Sequence, residues 1–181
     1  MRHDHIRQLT MAALVAACLA VTSWIAALLP SSIPLTLQTF FVVLAALLLR
    51  PRWAAASMLC YVALGAIGLP VFAGGKGGAA ILAGPTGGYL VAFVIAAYVG
   101  SALAGSASGA ARPLLWRQVL AAFVMILVID VIGTAWLVYS LHLSLPAALA
   151  AGVLPFLIGD VIKAAAALIL ARLLARILQH Q

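Results

Sequence analysis

Polar residues interrupt this chain at wide intervals, and the stretches between them are apolar for roughly 17 to 25 residues. A helix rising about 1.5 Å per residue needs that length to cross about 30 Å of hydrocarbon. The pattern predicts an all-α integral membrane protein with six transmembrane helices at about residues 9–29, 34–49, 53–69, 89–105, 114–141 and 147–178. Together they form a single membrane domain over residues 1–181. The first span closes at "LPSSIP", and the short second span, entered through Ile33 and Pro34, is joined to the third by only "RPR". These two must form a tight antiparallel hairpin. A Gly/Ser/Ala linker, "GSALAGSASGAARP", follows the fourth span. The sixth would be 32 residues long, about 48 Å of helix, so a bend, tilt or break is expected at Pro155.

Composition agrees with a bilayer as solvent: 7% of residues are charged and the mean hydropathy is +1.25, far from the balance of a soluble domain. The charges also set the orientation. Arg2, Arg7, Arg50, Arg52, Arg112, Arg117, Arg172 and Arg176, eight of the ten Lys and Arg, fall on one side of the six-span arrangement. That side is cytoplasmic by the positive-inside rule, which places both termini inside. The net charge of +7 does not indicate nucleic acid, because the basic residues sit in pairs at span ends rather than in a groove-sized patch. The basic start "MRHDHIRQ" resembles a signal peptide, but its apolar run is long for one and is retained as the first span.

Catalytic chemistry has little to draw on. The chain has no Glu and only three Asp, and His3, His5 and His180 lie in its polar tails. No metal-ligand spacing is present, and "AGGKGG" lacks the Ser or Thr that must follow the lysine of a phosphate-binding loop. The informative residues are Asp130, Asp160 and Lys163, ionisable groups within spans. Counted outward from Arg172, Asp160 lies about 18 Å into the membrane, and Asp130 lies about 20 Å from Arg117. Asp160 and Lys163 share a helical face at i, i+3. They form either a structural ion pair, with Asp130 as a third member, or part of a ligand site. A buried acid beside a buried base suits a neutral group carrying both an N–H donor and a carbonyl acceptor, as ureas and amides do.

Four phrases, "IPLTLQTFFVVLAALLL", "GLPVFAGG", "GPTGGYL" and "GDVIKA", resemble in order and spacing the BioY family. Its members are the biotin-specific membrane subunits of energy-coupling factor (ECF) vitamin transporters. The resemblance implies a six-helix subunit of the prokaryotic cell membrane that captures biotin from the outer face. It also implies release inward by toppling while docked on a transmembrane coupling protein that sits on two ATPases. No cofactor is implied beyond the transported substrate. On the family pattern Asp160 and Lys163 contact the ureido ring. The alternatives are a solitary carrier working without ATPases and a noncatalytic membrane scaffold in which the charges only hold helices together.

The remaining site residues are expected from the outer loops and span ends. Thr36 and Gln38 lie at the outer end of the second span, where Gln38 serves either the ligand or the helix entry. Phe72 and Tyr89 offer apolar walls or packing anchors. Trp136 and Tyr139 are further wall candidates or members of an interfacial belt. Lys76 is the only positively charged outer residue and either meets the biotin carboxylate or attracts anions at long range. Relatives are expected to carry a basic residue where this sequence has Leu90, so that contact does not transfer. In the first span Ala12, Ala13, Ala16, Ala17 and Ala20 form small-xxx-small pairs resembling the motif by which ECF substrate subunits dock on their coupling partner.

Overall fold

The computed structural model describes residues 2–28, 36–106 and 114–178. Among these the fold is all-helical, with one isolated bridge between Phe72 and Lys76. The helices are α1 (Arg2–Leu28), α2 (Gln38–Leu48), α3 (Pro51–Ala66), α4 (Ala79–Ala83), α5 (Gly87–Ala104), α6 (Leu115–Leu141), α7 (Leu145–Gly152) and α8 (Leu154–Leu178). Four of them, α1, α5, α6 and α8, contain segments long and apolar enough to cross a membrane. The "LPSSIP" end of the first expected span and the second half of the Gly/Ser/Ala linker, with Arg112, lie outside the described residues.

The expected break in the sixth span is present and falls two residues before Pro155: the helix stops at Gly152, passes through Val153 at φ −121° and ψ −58°, and restarts at Leu154. Pro155 has no N–H to bond back into α7 and sits in the first turn of α8, where none is needed. The connection before the fourth span is not all loop: it contains the short helix α4, too brief for hydropathy to reveal.

α2 is the centre of the molecule. Its residues from Val42 to Leu47 are buried in succession, the signature of a helix covered on every side, and α1, α3, α5 and α8 pack around it. Leu49 and Arg50 are extended, with ψ 154° at both, as the residue before a proline favours, and Pro51 then opens α3. The hairpin tip is tied to α1: Arg50 pairs with Asp4 at 2.7 Å and its backbone N–H donates to Gln8 Oε1 at 3.0 Å. The apolar surface points outward. On α6, Leu120, Phe123, Leu127 and Val131 are exposed at helical spacing, as a lipid-facing stripe requires, while the opposite face packs against α5.

Candidate binding site

The inner face of α8 is built from Asp160, Ala164, Ala167 and Ala171, all buried and spaced four, three and four residues apart. Small side chains let the α8 backbone approach α2, its principal neighbour. The carboxylate of Asp160 continues that stripe toward the N-terminal end of α8. Lys163 Nζ donates to Asp160 Oδ1 at 3.0 Å, and the two side chains are only 13% and 10% exposed. Desolvation on this scale makes the pair costly unless each charge keeps its partner.

The pair opens on a cavity of about 470 Å³, within the range of small-molecule sites. Thr36 contributes from just before α2, Gln38 and Thr39 from its first turn, Tyr89 and Phe93 from α5, and Asp130 from α6. Asp130 faces the same cavity, whereas the ion pair of Lys163 is with Asp160. Phe72 and Lys76 arrive on a tight turn, in which Phe72 N–H donates to the Lys76 carbonyl at 2.9 Å. Gly74 and Gly75 between them have φ of 76° and 69°, values that favour glycine. Phe72 also anchors the loop, its ring meeting Tyr61 edge-on at 5.7 Å. Lys76 and Lys163 are the only cations among the lining residues.

Tyr89 has both roles open to it in the sequence. It lines the cavity, lies against Gly133 and Gly152 where a Cβ would overlap it, and donates from its hydroxyl to the Gly152 carbonyl at 3.1 Å. That carbonyl belongs to the last turn of α7, which the break leaves short of helical partners. Trp136 and Tyr139 are not brought into the cavity lining. Trp136 instead donates its indole N–H to the Gly84 carbonyl at 2.8 Å, holding the loop before α5, and Tyr139 is 73% exposed. Thr39, Phe93 and Phe156 line the cavity without having been singled out from the sequence. Helical spacing was the available signal, since Phe93 is one turn beyond Tyr89 and Phe156 one turn before Asp160.

The alanine set of α1 divides. Ala12 and Ala16 are buried and the Ala12 carbonyl accepts from Ser57 Oγ at 2.8 Å, so this pair packs within the molecule. Ala20 is half-buried. Ala13 and Ala17 are exposed, in a stripe with Leu14, Val21 and Trp24.

The sequence profile of the BioY family matches residues 1–180. The chain belongs to the BioY family. It is 38% identical over 184 residues to the biotin transporter BioY2 of Lactococcus lactis, covering 99% of this chain and 96% of that one. It is 45% identical over 139 residues to a probable biotin transporter BioY of Pyrococcus horikoshii, covering 77% and 78%. Among solved structures, it resembles the S-component for biotin from an ECF-type ABC transporter with a TM-score of 0.85 and 26% identity, over 97% of this chain and 94% of that one.

Proposed function

We propose that this chain is the biotin-binding subunit of an ECF-type uptake system in a prokaryotic cell membrane. It captures biotin at the outer face and delivers it inward together with a transmembrane coupling protein and two ATPases. The observation that carries the reading is the acid–base pair of Asp160 and Lys163, desolvated on all sides but one and opening there on a cavity of about 470 Å³. A purely structural ion pair has no need of such an opening. In this reading the carboxylate accepts a ureido N–H, the ammonium donates to the ureido carbonyl, and both bonds are charge-assisted. Phe72, Tyr89, Phe93 and Phe156 enclose the thioether ring and valeryl chain, and Thr36 and Thr39 supply hydroxyls at the ureido end.

The membrane arrangement proposed is a single domain with six crossings and both termini cytoplasmic. α7 and α8 count as one broken crossing and α4 as part of the outer loop. Its support is the arginine distribution and the pairing of Arg50 with Asp4, which puts the hairpin tip and the start of α1 on the same side. α2 alone, at 11 residues, covers only about 16 Å, less than the full hydrocarbon thickness. No catalytic or metal role is proposed.

Equilibrium binding of labelled biotin to the purified, folded protein tests the reading. Saturable binding is expected, with Asp160→Asn and Lys163→Met each weakening it by about 100-fold, in keeping with truncation of a buried charged contact. Mutants that bind as the wild type does would make the pair structural.

A further inference from the structure

Behind the cavity wall runs a hydrogen-bond chain through three helices. Gln38, the first residue of α2, donates from Nε2 to the Tyr61 hydroxyl of α3 at 2.7 Å. That hydroxyl lies 3.3 Å from Ser23 Oγ of α1, and Ser23 Oγ lies 2.8 Å from the Leu19 carbonyl. Tyr61 and Ser23 are fully buried.

The direction of this chain follows from its inner end. A carbonyl only accepts, so the single hydroxyl proton of Ser23 points to Leu19 and Ser23 can only accept from Tyr61. The phenolic proton of Tyr61 is thereby committed to Ser23, leaving its oxygen as an acceptor. The group of Gln38 facing it must then be the NH₂, because Oε1 turned that way would place two acceptors together. The amide cannot flip without breaking the chain.

We propose that Tyr61 is a positioning residue that fixes Gln38 with its carbonyl Oε1 offered to the ligand, so that the site selects an N–H donor there. This rests on the reading of the ligand as biotin and deepens it. Asp160 and Gln38 are then two acceptors in one cavity, matched to the two ureido N–H groups, with Lys163 the donor to the carbonyl between them. The same orientation turns an acceptor toward any carboxylate approaching Gln38, so the acid end of the ligand lies elsewhere, on the Lys76 side.

The test compares biotin with its two analogues methylated at one or the other ureido nitrogen, bound to the full-length wild type, Tyr61→Phe and Ser23→Ala. The phenylalanine keeps the ring packed on Phe72 and removes only the hydroxyl. Alanine at Ser23 removes the acceptor that commits the Tyr61 proton, and it lies two links away from the cavity. The wild type should bind both analogues more weakly than biotin. In each variant the penalty for one analogue should shrink by about tenfold, one hydrogen bond's worth, while the penalty for the other, read by Asp160, stays. A merely structural role predicts that all three ligands weaken by the same factor, and that result, or unchanged ratios, overturns the assignment. Should Tyr61→Phe fail to fold, the Ser23→Ala ratios decide alone. A folded wild type that binds no biotin overturns the ligand reading itself, whereas one that binds biotin with ratios insensitive to both variants overturns only the role of Tyr61.

Discussion

The two cations of the cavity are not equivalent. Lys163 is 13% exposed and committed to Asp160 at 3.0 Å, whereas Lys76 stands exposed on a loop at the rim. An exposed charge contact contributes about 0.2–1 kcal/mol. Lys76→Gln should therefore weaken biotin by only about two- to fivefold and leave its uncharged amide unaffected, as measured by competition against labelled biotin. Equal losses for acid and amide would remove the carboxylate role. At this scale the sequence was legible wherever a residue contradicts its surroundings: an aspartate and a lysine in an apolar helix announce themselves. Tyr61 did not, because a tyrosine in a span looks like any other aromatic filler. Its meaning lies in a hydroxyl direction set by Ser23, 38 positions away. For Trp136 and Tyr139 the shared helical face was visible and left two roles open, but not that Trp136 turns to the Gly84 carbonyl.

Among the elements, the α5–α6 contact and the α7–α8 break form one device. Tyr89 sits over Gly133 and reaches the Gly152 carbonyl at 3.1 Å, so the side chain that lines the cavity also holds the end of α7 and, through it, the entry to α8. A methyl group at residue 133 would occupy the place of the Tyr89 ring. Gly133→Ala is expected to cost about 1–3 kcal/mol of stability, the usual range for overpacking, and to weaken biotin binding by tenfold or more, followed by thermal unfolding and by titration. Tyr89→Phe loses only the hydrogen bond and should cost about 1 kcal/mol. Gly133→Ala binding as tightly as wild type would break the link between the kink and the site. The hydropathy pattern located the long helices well, since α6 was expected at 114–141 and runs Leu115–Leu141. It could not locate α4, whose five residues are held by the loop around them, whereas Pro155 and the excess length of the last span together marked the break to within two residues of Val153.

For the whole molecule, the proposed coupling to a partner protein points to the exposed stripe of Ala13, Leu14, Ala17, Val21 and Trp24 on α1, where Ala13 and Ala17 would permit close approach of a helix. Ala17→Leu should leave biotin binding within about twofold while reducing uptake by tenfold or more in cells that supply the coupling protein and ATPases. Uptake at the wild-type rate would move docking to another face. Sequence spacing alone proposed five alanines, because every small residue in an alanine-rich helix satisfies the pattern. Burial separates them, since Ala12 and Ala16 are spent on α3 and the core. The central place of α2 has a bearing on how the molecule is made. Gln38 of α2 leaves the ribosome early, and Asp160 and Lys163 of α8 leave it after every other helix described. The nascent chain therefore holds one half of the proposed binding cavity open, with the alanine-lined seat beside α2 unfilled, until α8 inserts. A prematurely terminated chain would lack both members of the proposed charged ligand contact together, and on that proposal would be unable to sequester the vitamin it cannot deliver.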